Sequence, residues 1–182
     1  MALPATIYRV TIQLSDLDRN CYESLQATVA RHPSETAERL VLRVLAFALC
    51  WEPELTFTRG VASGDEPDLW TIGGDGRVTN WIEVGLPDPE RLIKACRHSE
   101  RAVLVASGAA LTRWTAQHLA KLDGVANLTV IGLDQDFLNR VTACLERLIS
   151  WSLTITDGTL YLGTGGETIE TTLLHLSGPR LV

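Results

Sequence analysis

Lysine is almost missing from this chain. Of 16 basic residues among 182, only Lys94 and Lys121 are lysines, and the 22 acidic residues outnumber all bases to leave a formal net charge of −6. Such a balance, with a pI near 5.2, excludes a protein whose main work is to coat DNA or an anionic membrane nonspecifically. It does not exclude a site where a bound divalent cation or a local basic strip acts against the overall field. Cysteine is scarce too: the four, at positions 21, 50, 96 and 144, form no CxxC or CxxH pair, so a zinc ribbon and a thioredoxin-type site are excluded and buried reduced thiols are expected. Nowhere does an apolar run reach the roughly 18 residues of a membrane span. The opening residues MALPATIYRVTIQLSDLDRN show no basic segment followed by an apolar core, so the expected location is the cytoplasm. With 46% apolar residues, 14 glycines and 7 prolines, disordered and collagenous classes drop out. One folded domain over residues 1–182 is expected.

What is present reads as alternating elements. Tyr8, Val10, Ile12 and Leu14 alternate with polar residues, as do Leu25, Ala27 and Val29, which predicts two half-buried strands. Ser34 as N-cap and Glu35 at the positive end introduce a helix over about 35–50, carried by Ala37, Val41, Val44, Leu45 and Ala48. Short strands are expected near 55–58, 68–72 and 78–84. A helix then opens at Asp88-Pro89 and runs to about His98. The apolar run 101–108 suits a strand buried on both faces. A helix over 110–121, a strand over 127–133 and a helix over 135–147 continue an α/β alternation. In the tail, Trp151, Leu153 and Ile155 alternate, Asp157-Gly158 signals a hairpin, and a further strand is expected at 169–173.

The chemistry concentrates in one hairpin. Gly73-Gly74-Asp75-Gly76-Arg77 separates two strands, and Asp-Gly is the preferred centre of a type I′ turn. That turn would pair Ile72 with Thr79, Trp70 with Trp81, and Asp68 with Glu83. Two carboxylates would then oppose each other with Cβ atoms about 5 Å apart. Such a pair is relieved by a shared proton, a cationic side chain or a hard divalent cation with oxygen ligands. A longer turn would slip the register, leaving Asp68 a loop carboxylate and Glu83 in a salt bridge.

These residues resemble a known pattern. Pro67-Asp68 followed by Glu83-Val84-Gly85, in an α-β-β-β-α-β order, is similar to the PD-(D/E)XK nuclease core, with Gly85 where that superfamily usually has its lysine. Longer runs resemble the bacterial YaeQ family: MALxATIY at the start, LDRN at 17–20, ARHPSET at 30–36, FTRG at 57–60, DEP at 65–67, WIExGLPD at 81–88 and KAC at 94–96, where x is any residue. The resemblance implies an α/β fold with a restriction-endonuclease-like core, a mixed sheet flanked by helices, and additional antiparallel strands at both termini. It implies Mg²⁺ or Mn²⁺ held by Asp68, Glu83 and the Val84 carbonyl. Lys94 would be a relocated catalytic lysine, and Glu38, ahead of Glu35, the acid of the first helix.

Other candidates have simpler readings. Trp70 and Trp81 are a cross-strand pair before they are a stacking platform, although the 2/16 lysine share makes the placement of Lys94 notable. His32 fits a surface or capping role, and Asp16, Asp18, Asp134 and Asp136 fit turns and helix starts. Gly163-Thr164-Gly165-Gly166 is a loop between strands. Arg31, Arg39, Arg43 and Arg59 could meet phosphate if they converge. The expected function is metal-dependent phosphodiester hydrolysis of nucleic acid. The alternative is a catalytically inactive nuclease-fold module binding nucleic acid or a protein partner in a regulatory role.

Overall fold

A helix that is apolar on every side must be enclosed on every side. Every residue from Leu40 to Leu49 is buried, Arg43 included, and the helix that carries them, α1 (Ala37–Leu49), begins not at Ser34 but at Thr36, whose hydroxyl accepts from Arg39 N–H at 3.1 Å. The structure, a computed structural model, describes residues 4–59 and 64–181. Met1 to Leu3 and Gly60 of the sequence runs noted above therefore lie outside the described residues.

Two mixed sheets enclose α1. The first contains β1 (Thr6–Asp16) and β2 (Cys21–Arg31), then β8 (Leu148–Thr156), β9 (Thr159–Gly163) and β10 (Thr168–Thr172), in the order β10-β9-β8-β1-β2. Its alternation is as expected: Tyr8, Val10, Ile12 and Leu14 are buried, and their neighbours face away. The strands at the two ends of the chain are antiparallel within each group, but β1 and β8 join them in parallel.

The second sheet has the order β11-β7-β6-β5-β4-β3. Its strands are β3 (Thr56–Phe57), β4 (Leu69–Ile72), β5 (Val78–Val84), β6 (Ser99–Ala106), β7 (Leu128–Gly132) and β11 (Leu174–Ser177). β5, β6 and β7 run parallel, and β3, β4 and β11 are antiparallel to their neighbours. The expected tail strand at 169–173 is β10, and a further strand not expected from the sequence, β11, follows it into the other sheet.

α1 and α4 (Gln135–Ala143) fill the space between the sheets in one apolar cluster. α2 (Pro89–His98) and α3 (Leu111–His118) cover the far face of the second sheet through Leu92, Ala95 and Trp114. Two expected helices are shorter than their apolar patterns. α3 tightens into a 3-10 turn over Leu119–Leu122, and α4 stops at Cys144. Asp88 caps α2 as expected, accepting from Glu90 N–H at 2.9 Å. No helix among the described residues is long and apolar enough to cross a membrane.

Candidate functional site

The β4–β5 hairpin departs from its expected turn and keeps its expected register. Asp75 is not among the residues with positive φ, while Gly76 has φ +83. Gly73 N–H donates to Arg77 O at 2.8 Å. The loop is therefore three residues, Gly74 to Gly76, with a left-handed glycine closing it. That pairs Ile72 with Val78, one residue out of step, and a bulge then restores Thr71 to Asn80, Trp70 to Trp81 and Leu69 to Ile82. Asp68, just before β4, keeps its place beside the end of β5, with its own N–H donating to Ile82 O at 2.9 Å.

Here a cavity of about 550 Å³ opens, outside the carboxyl ends of β5 and β6 and against the starts of α1 and α2. Glu38, Glu66, Asp68 and Glu83 line it opposite Arg39 and Arg91: four carboxylates face two guanidiniums, a net charge of −2. Asp68 is 1% and Glu83 3% exposed. Asp68 is gripped from α1. Arg39 Nη2 lies 2.8 Å from Oδ1 and 2.9 Å from Oδ2, and Arg43 Nε lies 3.7 Å from Oδ1. Val84 N–H donates to Asp68 Oδ2 at 2.9 Å. Oδ1 is buried and accepts no well-directed hydrogen bond.

Glu83 is held by different partners. Trp81 Nε1–H donates to its Oε1 at 2.8 Å, and Arg91 Nε donates to the same oxygen at 2.9 Å. Burial pushes the Glu83 carboxyl above its ordinary 4.5; the Trp81 and Arg91 interactions pull it down, and the nearby Asp68 charge pushes it up.

Beneath the cavity, Glu35 is buried and does not reach it. Its carboxylate takes Arg39 Nη1 at 3.3 Å and Arg43 Nη1 at 3.2 Å. Arg43 goes on to Ala30 O and Thr58 O, and Arg31 Nε donates to Glu35 O at 2.9 Å. The sequence reading set Glu35 aside as a helix-start charge, yet it is the anchor of three arginines. Glu38, exposed on the first turn of α1, is the one that lines the cavity.

Lys94 is not among the residues lining the cavity; it is 66% exposed, with its ammonium 3.5 Å from the exposed Asp65. One turn earlier on α2, Arg91 takes the place expected for it, reaching Glu83 and also Gly64 O and Glu66 O. The helical pattern showed that Arg91 and Lys94 share a face, but not which of them the loop at 64–66 would draw in. Gly85 has φ +92 with open space at its Cβ position, so the backbone, not crowding, disfavours a lysine there. Of the four arginines weighed together, Arg31, Arg39 and Arg43 converge, while Arg59 is exposed.

Other expectations turned out bland, as read. His32 Nδ1 meets Ser34 in the turn before α1. Asp18 accepts from the N–H groups of Asp157 and Gly158 at 2.8 and 2.9 Å, Asp16 pairs with Arg19, and Asp134 caps α4. All four cysteines are unpaired. Only Cys50 is fully buried, which pushes its thiol up to about 12. Among the described residues, no group of three His, Cys, Asp or Glu side chains is gathered to hold a metal ion.

Comparison with known proteins gives one family throughout. A sequence model of the YaeQ protein family matches residues 1–173. The YaeQ proteins of Escherichia coli (strain K12) and Salmonella typhi are 40% and 39% identical to this chain over 180 residues, covering 98% of it and 99% of each relative. The crystal structure of YaeQ protein from Pseudomonas syringae is similar with a TM-score of 0.92 at 38% identity, covering 98% of this chain and 99% of that one. The YaeQ protein from Xanthomonas axonopodis pv. citri also gives 0.92, at 37% identity, over 96% and 99%.

Proposed function

The chain belongs to the YaeQ family, and from the charge of its cavity we propose that it hydrolyses phosphodiester bonds of nucleic acid, with Mg²⁺ or Mn²⁺ held by Asp68 and Glu83. One observation carries this reading: two buried carboxylates share a cavity whose lining has a net charge of −2, which is what a divalent cation would balance. The donor set fits such an ion, since both groups are hard oxygen ligands, and Asp68 Oδ1, buried and ion-paired with Arg39 at 2.8 Å without a well-directed hydrogen bond, can meet it once Arg39 turns away. The run α1-β3-β4-β5-α2-β6, with Asp68 before β4 and Glu83 in β5, supports a PD-(D/E)XK-like core.

When bound, such a cation lowers the pKa of a water and polarises a phosphoryl oxygen. The chain's own residues do the rest. Trp81 and Arg91 both hold Oε1 of Glu83 and so fix the orientation of its carboxylate. Arg39 and Arg91, with side chains 28% and 34% exposed, can turn outward to phosphate once their carboxylates have another partner. Glu38 supplies a solvated carboxylate on the same cavity to take a proton from water. Lys94 has no part in this step.

The test is incubation of pure protein with single- and double-stranded DNA and RNA in Mg²⁺ or Mn²⁺, with a chelator control. Metal-dependent cleavage by the parent, and its loss in Glu83→Gln, is the expected result. Absence of cleavage under every condition contradicts the proposal. The short contacts from Arg39 to Asp68 and from Arg91 to Glu83 favour a second reading, a binding-only module whose carboxylates are already neutralised. Nucleic-acid or protein binding with no cleavage would select it.

A further inference from the structure

A second cleft, about 640 Å³ in volume, runs beside the first on the α2 side of the β4–β5 hairpin. Its lining reverses the charge of its neighbour. Arg77, Lys94 and Arg97 face it against Asp65 and Glu100, with His98 alongside, so a basic strip sits on a chain whose net charge is −6. Two of its cations are loosely paired: Lys94 meets Asp65 at 3.5 Å with side chains 66% and 94% exposed, and Arg77 meets Asp75, outside the cleft, at 3.4 Å, also at the surface. Pairs of this kind yield readily to a polyanion.

Trp81 connects the two cavities. It lines the cleft, packs partly against the apolar cluster under α2, and sends its indole N–H to Glu83 on the wall of the first cavity. Trp81 is half-buried, its indole is held by that hydrogen bond, and it shares the lining of the cleft with the three cations. A fixed aromatic face next to a row of cations is the arrangement that holds an unpaired strand, since any base can stack and the phosphates follow the charges. A duplex keeps its bases stacked on each other and cannot use the ring.

We infer that this cleft is the strand-binding groove of the site, taking single-stranded nucleic acid with a base on Trp81 and its phosphates along Lys94, Arg97 and Arg77. The inference rests on the hydrolytic reading for what happens to the strand, but not for the binding. The functional weight of Lys94 is thereby moved from catalysis to substrate binding.

The experiment is fluorescence anisotropy of labelled single-stranded DNA, single-stranded RNA and duplex DNA of equal length, at low salt in a chelator so that nothing is cut. The parent should bind a single strand, DNA or RNA, at least tenfold more tightly than the duplex. Lys94→Ala/Arg97→Ala, two exposed positions, should weaken that binding about tenfold or more without changing the thermal midpoint, and reduce the salt slope by about 1.4. Trp81→Leu should remove most of the single-strand preference. No binding by the parent, equal binding of duplex and single strand, or an unaffected double variant each overturns the groove. Binding through the groove without cleavage in Mg²⁺ or Mn²⁺ overturns hydrolysis and leaves the groove standing. Cleavage that the double variant retains along with parental binding does the reverse.

Discussion

Arg43 shows how much a single side chain can be asked to do inside a protein. Its guanidinium is 1% exposed, and it reaches Glu35, Asp68, Ala30 O, Thr58 O and the ring of Phe57, 5.5 Å from its centroid. Removing one partner of a buried ionic network leaves the others desolvated and unpaired, so Arg43→Met should lower the stability by about 3–5 kcal/mol in denaturant unfolding. Arg43→Lys should recover little, because an ammonium cannot present a planar fork to several acceptors at once. Glu83 adds a pH dependence. Burial raises its pKa above 4.5 in the folded chain, so folding penalises its ionised form. The penalty is full above the folded pKa, fades as the pH falls through it, and is gone below the unfolded value. Glu83→Gln should therefore be more stable than the parent near pH 8, with the gap closing toward about pH 4, in thermal melts without metal. Glu35, Arg39 and Arg43 are spaced four residues apart, and the structure brings them together although Glu35 lies just before α1. That grouping was not legible in the sequence, because a carboxylate before a helix is already explained by the dipole.

Among the elements, two Asp-Gly pairs make the sharpest comparison. Asp157 and Gly158 have φ +50 and +71, and Thr156 pairs with Thr159, so that hairpin has the two-residue turn expected of it. Asp75-Gly76 has the same letters and a three-residue loop, corrected by a bulge two residues later. The dipeptide marks a turn, but the number of loop residues depends on what the flanking strands must pair with, here Trp70 with Trp81. Since Gly76 alone of the loop has a positive φ and Gly74 has no heavy atom within 4 Å of its Cβ position, the two glycines should respond differently. Gly76→Ala should cost about 1–2 kcal/mol, and Gly74→Ala should change the melting midpoint hardly at all. Had the turn been type I′, Asp75 would also have been strained. β11, only four residues long, was not legible, because no period is established over so few positions.

At the scale of the whole molecule, the alternation of helices and strands was visible in the sequence, while the division into two sheets was not. The parallel pairing of β1 with β8 joins residues about 140 positions apart, and strand alternation says which face is buried without saying who the neighbour is. The same division encloses α1 and thereby brings Arg39 and Arg43 to Asp68. Asp68 and Glu83 were legible as neighbours because they sit in one hairpin; Arg91 and Glu35 join them only through the packing of α1 and α2 around it. The central claim is that these two carboxylates share a divalent cation, and the whole-molecule readout for it is the thermal midpoint during a Mn²⁺ titration. A ligand that binds only the folded state at a hundred times its Kd stabilises by about 2.7 kcal/mol. The account predicts a saturable rise for the parent, reversed by chelator, and no rise for Glu83→Gln. Equal rises in both proteins, or none in the parent, would contradict it.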